Sequence, residues 1–308
     1  MTTLQATRTQ YVDAANGVRF AFRQLGTKDG IPLVLHIHYR GNMDYWDPLL
    51  INALAATRPV IIFDQSGVGR SSGEVATSFQ GWAANVIALC DALHLNKIDL
   101  LGFSMGGAAV QMVALTAPQL VRKLIVAGTT ASQPPADETG EGIVWPRVQP
   151  PKEHIEMLAA DVKTADEAAR AIAFSFFYDT DAGRQSAKKY WDSIQTRNVI
   201  DEPLILTLLD HKKAENQFIT FGDWITPNTT NSFERLHELK MPVLVLNGDD
   251  DRLIPTTRSW ELHARIPGSQ LIIYPVAGHG FIWQHAEWVA TDVARFLDGV
   301  GDDRLMKL

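Results

Sequence analysis

Six short runs built almost wholly from Val, Ile and Leu punctuate the chain: IPLVLHIH (31–38), RPVIIFD (58–64), KIDLLGF (97–103), VRKLIVAG (121–128), MPVLVLNG (241–248) and QLIIYPV (270–276). Their apolar positions are continuous rather than alternating, which predicts strands buried on both faces. Between them lie stretches with helical spacing: FQGWAANVIALCDALHL (79–95), MGGAAVQMVALTA (105–117), a segment near 256–265 and a closing segment near 281–298. Strand–helix–strand order predicts a parallel α/β sheet. Residues 10–24 add two strands joined by a short turn, antiparallel to one another, which brings the expected sheet to eight strands, mostly parallel.

The rhythm breaks at about 131. SQPPADETGEG is polar and rich in Pro and Gly, the composition of a loop. It is followed by four stretches that read as helix, PKEHIEMLAA, ADEAARAIAFSFF, GRQSAKKYWDSI and EPLILTLLDHKKAENQF, with no strand run among them. The pattern therefore divides the chain into a core, residues 1–130 and 231–308, and an inserted helical lid, residues 131–230. The insert's aromatics, among them Trp145, Phe174, Phe176, Phe177, Tyr178, Trp191, Phe218 and Trp224, are expected mostly inside the lid, with a few facing a substrate.

Composition narrows the setting. A chain of 308 residues that is 46% hydrophobic and 20% charged can bury a sizeable core. Its net charge of −7 argues against nucleic acid and anionic membrane surfaces as partners, because both select clustered Lys and Arg. No apolar run reaches the length of a membrane span. MTTLQATRTQ has no apolar signal-peptide core. Cys90 is the only cysteine and cannot form an intrachain disulfide, which suits a reducing compartment; the expected location is the cytoplasm. Its neighbours in NVIALCDAL form an apolar helical stripe, so a buried structural thiol is expected.

The candidate chemistry begins with Gly102-Phe103-Ser104-Met105-Gly106, set between a strand and a helix. A sharp turn there strains the central residue, needs small neighbours, and holds the Ser104 hydroxyl exposed at a helix N-terminus beside the Met105 N–H. A serine hydroxyl is a weak nucleophile at neutral pH and needs a base. VAGHGF supplies His279, between glycines directly after a strand, where a histidine has little packing function. The remaining histidines are less well placed: His94, His154, His211, His237 and His263 fall on expected helix faces, and His285 falls inside the closing helix. An acid is needed to fix the tautomer of the base, and LVLNGDDDRLIP offers Asp249, Asp250 and Asp251 just past a strand end.

The order strand, Gly-x-Ser104-x-Gly, lid, strand with Gly248-x-x-Asp251-x-x-x-Pro255, strand with Gly278-His279 resembles the α/β-hydrolase superfamily over nearly the whole chain, in the branch of lidded esterases, lactonases and haloperoxidases. The resemblance assigns the acid to Asp251 ahead of Asp250 and Asp249. It also implies an oxyanion hole from the loop after the third strand, here His38-Tyr39-Arg40-Gly41-Asn42, with Tyr39 where glycine is usual. Donation needs only backbone, so the N–H groups of Tyr39 and Met105 are the expected donors. Arg40, Phe103 and Trp145 are the candidate substrate contacts; alternatively, Arg40 is solvated or paired with Asp44 or Asp64. DQSGVGRSSG (64–73) is similar to the family's turn after the fourth strand and reads as a structural turn bordering the pocket. His36 and His38 stand as H-x-H on one strand face, but no further ligands follow at zinc-site spacing, so structural histidines are expected and no metal.

What the resemblance implies is a serine hydrolase needing no cofactor. Cleavage of a carboxylic ester or lactone with a small apolar acyl group leads. Carbon–carbon bond hydrolysis of a diketone-like substrate, or perhaloacid-dependent halogenation, keeps the same three groups. A non-catalytic small-molecule receptor is the alternative from another class. The exposed lid, or the last strand and helix, offers surface for a homodimer.

Overall fold

A computed structural model describes residues 2–134 and 150–299. Among them, eight strands form one sheet: β1 (Gln10–Asp13), β2 (Arg19–Leu25), β3 (Leu33–His36), β4 (Val60–Phe63), β5 (Ile98–Phe103), β6 (Val121–Ala127), β7 (Val243–Gly248) and β8 (Gln270–Tyr274). Their spatial order is β1-β2-β4-β3-β5-β6-β7-β8. β1 pairs antiparallel with β2, and β2 antiparallel with β4, while every other neighbouring pair is parallel. Register sets His36 opposite Gly102, Phe103 opposite Ala127 and Gly248 opposite Tyr274. The carboxyl ends of β3, β5, β6, β7 and β8 thus open along one rim, the edge where open α/β sheets bind ligands.

The continuous apolar runs are explained by the layers. β3, β4, β5 and β7 are buried at every residue. One face of the sheet carries α1 (Pro48–Ala55) with α9 (Phe281–Gln284) and α10 (Ala286–Asp298); the other carries α2 (Phe79–Ala92), α3 (Met105–Thr116) and α8 (Thr257–Arg265). Local signals start and stop these helices. Asp47 caps α1 by accepting from Leu49 N, with Pro48 at the first helical position, and Ser78 caps α2 by accepting from Gly81 N. Gly299, at φ +75°, closes α10. Cys90 is fully buried in α2, and burial together with nearby Asp91 pushes its thiol pKa up to about 12, so the thiol is inert near neutrality.

Between β6 and β7 the chain forms α4 (Lys152–Ala159), α5 (Ala165–Phe176), α6 (Asp181–Ile194) and α7 (His211–Trp224). The two ends of this insert meet. Ser132 N donates to Ser232 Oγ at 3.2 Å, and Phe233 N donates to Ser132 Oγ at 2.9 Å. Among the described residues, no helix is long and apolar enough to cross a membrane.

Three expectations need correction. The stretch 202–218 is helical only from His211. Before it, the backbone is claimed by core side chains: Asp44 accepts from Ile205 N, Asn42 Nδ2 donates to Ile205 O, and the Tyr45 hydroxyl donates to Leu206 O. The closing helix is two helices broken at His285, whose backbone leaves the helical region at φ −111°, ψ 36°. His94 lies beyond α2 at φ +55°, not on a helix face.

Candidate active site

Ser104 joins β5 to α3 at φ 59°, ψ −123°, a strained conformation for a residue with a side chain. The turn holds because its neighbours are glycines. A Cβ on Gly102 would lie 2.2 Å from the Gly106 carbonyl oxygen, and one on Gly106 would lie 2.3 Å from that of His36. Ser104 N donates to Ala127 O at 2.8 Å, which fixes the elbow to the neighbouring strand. Met105 is the first residue of α3, so its N–H is one of the donors the helix leaves unpaired.

His279 follows β8, and its ring stacks on Phe103, the residue before Ser104, with centroids 5.0 Å apart. His279 Nδ1 lies 2.6 Å from Asp251 Oδ2, with both side chains fully buried. Asp251 Oδ1 accepts from Leu253 N and Ile254 N, each at 2.9 Å. All three contacts of the carboxylate therefore come from its own loop or from the ring. His279 Nε2 is buried and has no hydrogen-bond partner among the described residues. The other two aspartates face elsewhere. Asp250 is exposed beside Arg252. Asp249 accepts from Val276 N, Ala277 N and the Tyr178 hydroxyl, pinning the loop that carries His279. Burial opposes ionisation of Asp249, but these donors outweigh it and hold its pKa below the ordinary value. Nothing in the spacing of the aspartate triplet marks this bracing role.

A cavity of about 590 Å³ opens at the rim. Tyr39, Ser104 and Met105 form its core side; Ile155 and Leu158 of α4 and Phe218 of α7 help form the insert side. The lining is largely apolar, with Lys152 and Arg258 among its few charged residues.

Two of the expected substrate contacts are placed differently. Phe103 does not line the cavity; it is wholly buried, packed among His279, His38, Phe176 and Trp283. Arg40 is 1% exposed, is neither solvated nor paired with Asp44 or Asp64, and donates to carbonyl oxygens of the insert. Asp44 is taken instead by Arg23 and Arg70, at 2.7 Å each. Trp145 lies outside the described residues.

His36 and His38 do not share a face. β3 ends at His36, so the strand alternation stops there. The His36 ring stacks on Trp82 of α2, whereas His38 packs against Tyr45, Phe176 and Trp283 on the other side. Burial lowers the pKa of His36 to about 4 and that of His38 to about 3. The DQSGVGRSSG turn braces the adjoining loop through Asp64, which accepts from Met43 N and Arg70 N at 2.7 Å, and none of its residues lines the cavity.

Contacts that sequence reasoning did not foresee tie the insert to the site. Gly280 N, next to His279, donates to Phe176 O at 2.6 Å, and Arg40 N donates to Gln217 Oε1 at 2.8 Å. No local pattern marks either contact, because each joins positions far apart in the chain.

Comparison with known proteins agrees with this architecture. Residues 31–286 match the sequence profile of the alpha/beta hydrolase fold. The chain is 31% identical over 242 residues to 2-hydroxy-6-oxononadienedioate/2-hydroxy-6-oxononatrienedioate hydrolase 1 of Pseudomonas putida, covering 77% of this chain and 76% of that protein. It is 28% identical over 280 residues to the poly(3-hydroxyalkanoate) depolymerase of Ectopseudomonas oleovorans, covering 86% of this chain and 84% of that one. An alpha/beta hydrolase fold protein from Chitinophaga pinensis superposes with a TM-score of 0.80 at 28% identity, over 96% of this chain and 99% of that one.

Proposed function

The chain belongs to the α/β-hydrolase family, and from that premise we propose that it hydrolyses the carbon–carbon bond beside a ketone in a 2-hydroxy-6-oxodienoate-like substrate. The observation that carries this reading is the likeness to the Pseudomonas putida hydrolase, whose name states such a substrate. It displaces ester or lactone cleavage from first place.

In the proposed reaction, Ser104 Oγ adds to the ketone carbon as His279 Nε2 takes its proton. Asp251 holds the proton on Nδ1 and stabilises the imidazolium. The N–H groups of Tyr39 and Met105 hold the alkoxide, each contributing about 3 kcal/mol. Before the bond breaks, the 2-hydroxydiene ketonises, its hydroxyl proton moving to the carbon beside the ketone. The carbon–carbon bond then breaks, its electron pair delocalises into the enone of the 2-keto acid fragment, and that fragment takes the proton from His279. The remaining acyl group stays on Ser104. Water, activated by His279, adds to that ester, and collapse returns the Ser104 hydroxyl and releases a carboxylic acid. The helical insert serves as the lid, and its apolar walls suit the substrate's unsaturated middle.

Ester cleavage uses the same groups and is the second reading, favoured by the likeness to the depolymerase. The deciding experiment follows the loss of the dienoate chromophore of 2-hydroxy-6-oxononadienedioate beside p-nitrophenyl butyrate and a lactone panel, with Ser104→Ala as control. Dienoate turnover that the variant lacks supports the first reading. Turnover of the esters alone replaces it with the second. Failure of all substrates and of serine-directed phosphonate labelling would instead indicate a receptor.

A further inference from the structure

Arg40 occupies a backbone conformation that favours glycine, at φ +59°. Gly41 N donates to His38 O at 3.2 Å, so Tyr39 and Arg40 are the middle of a tight turn. A glycine at position 40 would carry no such strain. The arginine sits there with its side chain almost wholly buried and, among the described residues, no carboxylate paired with it.

Among the described residues, its hydrogen-bond acceptors are all in the insert. Arg40 Nη1 donates to Leu158 O at 2.9 Å and to Ala160 O at 2.8 Å, while Nε donates to Leu209 O at 2.8 Å. Leu158 and Ala160 are at the C-terminal end of α4, where unpaired carbonyls and the helix dipole both favour a cation. The backbone of Arg40 is held as well: its N–H donates to Gln217 Oε1 at 2.8 Å, and its carbonyl accepts from Leu209 N at 3.1 Å. Gln217 is itself 1% exposed. Three separate stretches of the insert therefore converge on one residue, and that residue adjoins Tyr39 at the cavity wall. Leu158 both lines the cavity and gives its carbonyl to Arg40.

We propose that Arg40 is a positioning residue, through which the helical insert sets the Tyr39–Arg40 turn and so aims the Tyr39 N–H at the developing oxyanion. This rests on the reading of Ser104 as nucleophile and Tyr39 as donor, but not on which bond is cleaved. Contact between a substrate and α4 is transmitted to the oxyanion hole through the same carbonyls.

The test is the rate at which a fluorophosphonate labels Ser104, measured together with the fraction of chains labelled. Phosphonylation places an oxyanion where the acyl intermediate would have one, so it reports on the hole without a natural substrate. Arg40→Gly relieves the backbone and removes the guanidinium. The expected result is near-complete final labelling with a rate constant about a hundred-fold lower, the scale of loss for a small misplacement of a catalytic group. Arg40→Lys, which keeps the charge but cannot span three carbonyls, should fall between. A rate constant within threefold of wild type overturns the proposal. So does a reduced labelled fraction in which the remaining sites react at the wild-type rate, since that is the signature of folding alone. If Arg40→Gly yields no folded protein, Gln217→Met cuts only the Arg40 N–H tie at similar volume. A tenfold slower rate constant then supports the proposal, and an unchanged one overturns it. Wild-type protein that does not label would sink the nucleophile reading and this proposal with it. Labelling without dienoate turnover removes only the carbon–carbon assignment.

Discussion

Asp251 has two inequivalent oxygens, and that inequality makes its substitution informative. Oδ1 accepts two backbone N–H groups, so in Asp251→Asn the amide oxygen must stay there and the NH₂ must turn toward His279 Nδ1. The imidazole is then forced to carry its proton on Nε2, where it can no longer accept one from Ser104. We expect kcat to fall about 10⁴-fold, with KM and the circular dichroism spectrum little changed; retention of a tenth of the activity would exclude the assigned role. The buried His36 gives a second prediction. Its pKa is lowered by burial to about 4 in the folded chain, against an ordinary value of 6.5. Below pH 6.5 the unfolded chain binds a proton that the folded chain refuses, so stability is lost as pH falls toward about 4. At pH 5 the loss is about 2 kcal/mol. Urea unfolding at pH 7.5 and 5.0 should show a drop smaller by that amount in His36→Phe than in wild type. Ser104 and His279 were legible because each carries its context in adjacent residues. Arg40 was not: its backbone N–H bonds to a residue 177 positions away, a distance over which no spacing rule operates.

The elements divide in the same way. Strands buried on both faces announce themselves by composition, and helices packed on them by period, so the core was readable almost strand by strand. The segment before α7 misled because LILTLL has helix-forming residues whose backbone is satisfied by something else. Asp44 is the centre of that arrangement. It accepts from Ile205 N while Arg23 and Arg70 bind its two oxygens, and Arg70 also reaches Pro203 O. Burial alone would raise the Asp44 pKa, but the two guanidinium groups outweigh it and hold it below the ordinary value. Asp44→Asn would leave the buried Arg23 without its counter-charge and weaken the hold on Ile205. A loss of about 3 kcal/mol is expected in urea unfolding, with faster proteolytic cleavage near residues 203–206. A variant that unfolds like wild type would show that the strap is held by its apolar contacts instead.

At the scale of the whole molecule, the parallel sheet brings the elbow, the acid loop and the histidine loop to one rim, a placement that follows from strand order and was foreseeable. What strand order does not convey is that the insert bonds to two of the loops at that rim. Arg40 and Gln217 join it to the turn after β3 that carries Tyr39, while the Phe176 carbonyl and the Tyr178 hydroxyl join it to the histidine loop and its brace. Opening the insert as one body would break these bonds together and expose Arg40, whose Nη2 already lacks a partner among the described residues. Stripping several hydrogen bonds from a buried cation is costly, so full opening should be rare and substrate should enter past the cavity's exposed wall at Ile155 and Phe218. Hydrogen exchange measures this directly. The Arg40, Leu209 and Gly280 amides are expected to exchange as slowly as those of β5, and Tyr178→Phe should accelerate Gly280 while leaving β5 unchanged. Seam amides that exchange at the rate of surface loops would mean that the insert swings free in solution, and its bonds to the rim would then form only on closure.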